Sequence, residues 1–233
     1  LAKAKILIAL GPIVYLGRPS LLSAIMREEL LLVFKHGHFD HSAYWFASLA
    51  MVLRGHLGWI KSSLKATNIA EKLLASLDYP HTRAKTLFAL NFFAYHWQKS
   101  LPQTITAGKQ SLDLALQTND YEFAAYSMLL ICSHTLEAGG YLNQINADLE
   151  QFIGNTASIY QIPQLNLLKI YRQYFKSLTQ VGVEEAFEPI EDQPEWYRDR
   201  TAVALRYLLE LESLYFFRAY SRATEVAILR APL

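Results

Sequence analysis

The chain has 233 residues, 52% of them apolar and 18% charged, with a net charge of +1 from 22 basic and 21 acidic side chains. That balance excludes a disordered chain, and ten glycines with eight prolines are too few turn residues for a sheet protein of this length. Clustered cations are absent, the widest basic stretch being Arg18, Arg27 and Lys35, so nucleic acid is not an expected partner.

The first stretch, Ile6 to Gly17, carries no charge and is interrupted by Gly11-Pro12. Like the charge-free runs Ser42 to Leu53 and Phe123 to Leu136, it is shorter than the roughly 17–25 residues a membrane span takes, and no membrane partner is expected. Leu21, Leu22, Ile25, Met26, Leu30 and Val33 then share one helical face. Asp40 is the expected N-cap of a helix over Ser42 to Arg54, which ends in Gly55-His56-Leu57-Gly58. The next helix runs from Trp59 to Leu77, and Asp78-Tyr79-Pro80 is a turn. Thr82 to Trp97 is apolar over most of its circumference, which places it between two neighbours.

Leu101-Pro102 opens a helix to Thr118, because proline suits a first turn. Asn119-Asp120 is a turn in which Asn can take the left-handed cap. Tyr121 to Ala138 comes next and closes at Gly139-Gly140. Tyr141 to Gln161 is the next helix, broken by Ile162-Pro163, with Gln164 to Thr179 resuming. Residues 181–195, acidic and carrying two prolines, read as a linker. A last helix runs from Glu195 to Leu229, with a break around Tyr220. The single cysteine, Cys132, falls in an apolar run and reads as a small buried hydrophobe in a reducing, cytoplasmic setting.

These elements repeat. Ala43, Ala84 and Ala125 stand 41 residues apart, as do Gly58, Lys99 and Gly140, and Trp59, Ser100 and Tyr141. Two helices per period make a helical solenoid. The expected fold is an all-α, tetratricopeptide-like α-solenoid of stacked antiparallel hairpins, with units over 41–80, 81–120 and 121–162 in one array. The period exceeds the usual tetratricopeptide length of about 34. Alanine on inner faces lets helix axes approach, and glycine at the turns supplies positive φ. A first residue other than Met and an ending at Ala231-Pro232-Leu233 suggest a piece of something longer.

His36-Gly37-His38-Phe39-Asp40-His41 matches H-x-H-x-D-H and resembles the first zinc-binding motif of the metallo-β-lactamase-type hydrolases. That likeness implies a zinc hydrolase with His36, His38, Asp40 and His41 as ligands. Its surroundings read as helix on both sides, without the strands or later ligand loops such a site needs. The expectation is therefore a turn with exposed imidazoles, and no metal, cofactor or catalytic residue. Of the aromatics, Tyr44, Trp59, Trp97, Tyr126 and Tyr171 are the candidates for a ligand groove, with Trp45 and Tyr174 beside them; at helical spacing such rings also serve as core.

Several segments resemble the helical-repeat region of large bacterial multidomain signalling proteins. Such proteins join a serine/threonine kinase-like domain, an AAA/STAND-type ATPase, a GAF sensor and often a histidine kinase. The likeness rests on Lys35-His36-Gly37 with Ser42-Ala43-Tyr44, on Ala84 to Phe88, His96-Trp97 and Asn119 to Tyr126, and on Asn166 to Gln173. The family usually has Gly where Asn119 stands and lacks the histidines after Gly37. The resemblance implies a non-catalytic scaffold coupling ATPase and sensor or kinase modules, whose partners are other domains of the same chain or other proteins. The alternative is a stand-alone sensor whose repeats bind a small ligand or a protein.

Overall fold

The computed structural model describes residues 2–76, 79–181, 187 and 199–230. All regular structure among them is helical, in eleven α-helices. The expected linker 181–195 and the start of the last expected helix lie outside the described residues, apart from Val181 and Phe187. So do Leu77, the expected end of the helix from Trp59, and Asp78 of the expected turn. None of the helices among the described residues is long and apolar enough to cross a membrane. The chain forms two compact units, Leu1–Ala138 and Gly139–Leu233; the expected third hairpin, 121–162, straddles the division.

In the first unit, α1 (Ala2–Gly17) leads through a 3-10 turn into α2 (Leu22–His36), and then come α3 (Ser42–Gly55), α4 (Ile60–Ser76) and α5 (Pro80–Phe93). A 3-10 turn, Tyr95–Trp97, precedes α6 (Leu101–Gln117) and α7 (Tyr121–Glu137). Each helix packs on its chain neighbours, and α3, α5 and α7 also pack side by side. This order of contacts is solenoid-like. As its all-round apolar pattern predicts, α5 is enclosed, with Ala84, Thr86, Phe88, Ala89, Leu90 and Asn91 all buried. Burying a side chain such as Leu90 or Leu130 contributes about 1.5–3 kcal/mol.

The 41-residue step is physical. Ala43, Ala84 and Ala125 are all buried. His41 Nδ1 and Thr82 Oγ1, 41 residues apart, meet at 3.4 Å where α3 and α5 begin. Side chains tie the hairpins internally: Ser63 Oγ donates to the Ala50 carbonyl at 2.8 Å, and Ser111 Oγ to the Ala84 carbonyl at 2.9 Å. Gly108 lets α6 come close to α7, since a Cβ there would lie 2.6 Å from Leu130 Cδ2.

Turn geometry agrees with expectation at Gly58 (φ 66°) and Asn119 (φ 55°), whereas at the third turn the left-handed residue is Gly139 (φ 74°), not Gly140. Four expectations need correction. Gly11-Pro12 does not interrupt α1; the helix gives up one backbone rung there and is held by buried Ala4 and Leu7. Asp40 is not the N-cap of α3: His41 is, and Asp40 Oδ1 accepts from the His41 N–H while Ser42 Oγ accepts from Phe39 N–H. α5 ends at Phe93 rather than Trp97, because Ala94 leaves the helical region (φ −124°, ψ −46°).

The fourth correction concerns the second unit, where α8 (Leu142–Ser158) and α9 (Ile162–Lys176) form an antiparallel hairpin. Ile162-Pro163 is the first turn of α9, not a break in a longer helix; the reversal comes from Tyr160, left-handed at φ 56°. A π-helical turn, Ser177–Val181, extends α9. Asp199 caps α10 (Arg200–Phe216), its Oδ1 accepting from Thr201 N–H at 3.0 Å and Ala202 N–H at 3.2 Å. The expected break near Tyr220 is a tight turn through Arg218 (φ 59°) into α11 (Tyr220–Arg230). α10 packs on α9, where Ser177 and Ser213 share a hydrogen bond.

Candidate functional site

The histidine string sits in the α2–α3 connection. His36 closes α2 and Gly37 turns left-handed (φ 79°), leaving His36 and His38 exposed, with His38 resting 6.2 Å from the Phe46 ring. His41 turns inward to Thr82, and Asp40 Oδ2 lies 3.6 Å from His41 Nε2. Burial holds the His41 pKa below its usual value against the pull of Asp40. No three His, Cys, Asp or Glu side chains among the described residues are grouped to hold a metal.

The groove candidates separate. Tyr44 and Tyr126 join a seam of rings across α3, α7 and α5. Tyr44 meets Phe123 edge-on at 5.8 Å, and Phe88 lies 5.7 Å from Phe123 and 5.4 Å from Tyr126. Phe88 stacks on Phe92 at 5.5 Å, Phe92 lies parallel to His134 at 6.2 Å, His134 meets His96 at 6.2 Å, and His96 reaches Trp97 at 5.0 Å. Trp97 is thus the far end of the seam, 66% exposed, with the Arg54 guanidinium 5.2 Å above its ring. Trp59, 59% exposed before α4, has no ring contact among the described residues and is not brought to the seam. Tyr171 belongs to α9 in the second unit. Trp45 and Tyr174 are buried, Trp45 edge-on to Phe39 at 4.9 Å.

The Tyr44 end is acidic. Glu29, on α2, is only 2% exposed, and its Oε2 has no hydrogen-bond partner among the described residues. Burial pushes its pKa up to about 8, so the carboxyl is mostly protonated at pH 7. Burial raises the Tyr44 pKa too; its hydroxyl meets Ser48 and senses Glu29 and Glu122. Burial also raises Glu122, opposed by Lys85. Lys85 pairs with Asp120 at 3.1 Å and places its Nζ 4.9 Å above the Phe123 ring, a cation–π contact.

One hydroxyl–imidazole pair has the outline of a nucleophile with its base. Thr104 Oγ1 lies 2.9 Å from His134 Nδ1, but it donates to the Leu101 carbonyl at 2.9 Å. With its proton on that carbonyl, Thr104 accepts from His134 Nδ1–H in the tautomer that carries it. Thr104 is fully buried. The arrangement holds the ring in place.

Residues that the sequence pattern does not single out are Glu29, Arg54, Asn91 and His134. Only Glu29 carried a signal: it lies four residues after Ile25 and four before Val33, on the buried stripe of α2. Comparison of the chain with protein-family models, with curated proteins and with solved structures gives no match. The class defined by the fold is that of all-α proteins built from sequence-adjacent helical hairpins.

Proposed function

We propose that this chain is a non-catalytic helical-repeat scaffold, cytoplasmic, that couples ATPase and sensor or kinase modules of a bacterial signal-transduction protein. The observation that carries the reading is the 41-residue step realised as lateral packing: α3 touches α5, α5 touches α7, and His41 bonds to Thr82 one period on. Helices in such a row cannot rotate singly, because buried alanines leave no slack between them. A displacement applied at one hairpin is passed to the next. The resemblance in Asn119 to Tyr126 and in Ala84 to Phe88 supplies the signalling context.

Deletion of residues 82–162 from the full-length protein tests this. Input to the sensor module should then cease to alter nucleotide turnover or phosphotransfer, while each module keeps its basal activity. Regulation that survives the deletion intact refutes the proposal. A stand-alone sensor of a small ligand is the second reading, favoured by buried polar atoms along the seam that have no partners among the described residues.

A further inference from the structure

α1 is composed like an enclosed helix but is covered on one side only. Apart from Lys3 and Lys5 it carries no charge, and a helix that is apolar all round is ordinarily buried all round. α5, of the same character, lies between α3 and α7. The inner side of α1 joins that row: Ala4 shares a buried cluster with Ala43 and Ala47 of α3 and Leu90 of α5, and Tyr15 meets Phe93 edge-on at 5.9 Å. The other side faces solvent, with Ile6 60%, Leu10 38% and Ile13 65% exposed. A hairpin that seals a repeat array carries a polar outer face, and the outer face of α1 is apolar.

The pattern on that face says what fits it. Ala2, Ile6, Ala9, Leu10, Ile13 and Gly17 are all exposed, and at about 100° per residue they fall within an arc of about 100°. Their spacing reads the same in both directions about the midpoint between Ala9 and Leu10. A second α1 laid antiparallel sets Ile6 against Ile13, Ala2 against Gly17 and Ala9 against Leu10. Small residues in two of these pairings let the axes approach, and the space beside Gly17 is open, since a Cβ there would meet nothing within 4 Å. A two-fold contact requires a face complementary to itself, which this stripe is. The charges select the same orientation. In a parallel pair, Lys3 and Lys5 would face their own copies. In the antiparallel pair the two Lys3 stand about 20 Å apart along the axis and the two Lys5 about 14 Å, beyond the screening length of about 8–10 Å. Lys3 is also held at 2.7 Å by Glu28 of its own chain.

We propose that the outer face of α1 is a homodimer contact, in which two copies of the chain meet antiparallel about a two-fold axis beside Ala9 and Leu10. The contact carries the row of α1, α3 and α5 across the axis into the second copy. One helix about 24 Å long supplies less than the roughly 800 Å² per partner of a standard interface, so the dimer is reversible. This surface stands apart from the scaffold reading and does not depend on which modules the array joins.

The test is sedimentation equilibrium of the full chain from about 1 μM to about 1 mM, the range in which contacts below standard size associate. The chain should follow a monomer–dimer equilibrium. Ile13→Glu sets a carboxylate against the Ile6 of the other copy at both ends of the contact and should weaken the dimer about tenfold or more. Circular dichroism should stay that of the parent, because the position is exposed. Ile6→Glu and Ile13→Lys, each alone, should weaken the dimer in the same way. The two together in one chain set opposite charges against each other at both pairings of the antiparallel register, and should dimerise about tenfold more tightly than either single variant. In a parallel register the same double variant would oppose like charges and stay monomeric. The proposal is overturned if the chain remains a monomer at the highest concentration, which would leave the face to a different protein. It is equally overturned if the dimer is indifferent to Ile13→Glu, or if the double variant associates no better than the single ones.

Discussion

Replacing Glu29 by Gln should make the chain more stable at neutral pH and should flatten its stability profile between pH 5 and pH 8. In the fold the carboxyl has a pKa of about 8, because it is desolvated and its Oε2 has no partner among the described residues; unfolded, it returns to its ordinary value of 4.5. Above that value the unfolded chain gives up a proton that the folded chain keeps. The contribution is thus fully present below pH 4.5 and is lost as pH rises toward 8. Each unit of difference is worth about 1.4 kcal/mol, so the penalty at pH 7 is about 3 kcal/mol. Because Glu29 is buried, solvent screening does little to reduce it. Gln has the same shape and never ionises, so the variant keeps the packing and removes the titration. Urea unfolding at half-unit pH steps, monitored by tryptophan fluorescence, measures both proteins. The stability difference, variant minus parent, should grow by about 3 kcal/mol between pH 5 and pH 8. A difference that stays constant over that range would show that the carboxyl is not desolvated in the fold, and the reasoning would fail.

His134 works in the opposite direction on the acid side. Its pKa of about 4, lowered by burial and then by His96, means stability is complete above pH 6.5 and is lost as pH falls toward 4, by about 3 kcal/mol; His134→Phe should remove that slope in the same unfolding series, and a slope that persists locates it elsewhere. Gly108→Ala should destabilise by about 1–3 kcal/mol, because the new methyl would lie 2.6 Å from Leu130 Cδ2 and 3.3 Å from Ile131 Cγ1, and Leu130, fully buried, must shift within a packed core. A rise in thermal midpoint for Gly108→Ala would show that helix propensity outweighs the clash.

Much of the architecture was legible because it depends on where apolar residues recur. The enclosed position of α5 comes from apolar letters on every side, and the lateral row of α3, α5 and α7 from Ala43, Ala84 and Ala125 at one spacing. Asn119 could be assigned its left-handed role because few side chains other than Gly tolerate it. What failed was local. Pro12 reads as a breaker, yet α1 continues because its buried contacts outweigh one lost rung. Asp40 looks like a cap, but its carboxylate is taken by the adjacent His41 N–H. The polar sites were hidden for a different reason. Periodicity is a property of apolar letters, so it passes over Arg54 and Asn91, and it marks Glu29 only by its place between Ile25 and Val33 on the buried stripe of α2. Of the five aromatic candidates, Tyr44, Tyr126 and Trp97 share one seam, while Trp59 stands off it and Tyr171 lies in the other unit.

The contact between His41 and Thr82 also sets the quantum in which this chain can change length. Each residue added to a helix rotates the remainder of that helix by about 100°, so a short indel would swing buried faces into water. A whole period inserted or excised at matching turns returns the buried alanines of α3, α5 and α7 to equivalent positions. Duplication or loss of a full hairpin is the edit this architecture absorbs, and the reach of the array is adjustable in those steps alone.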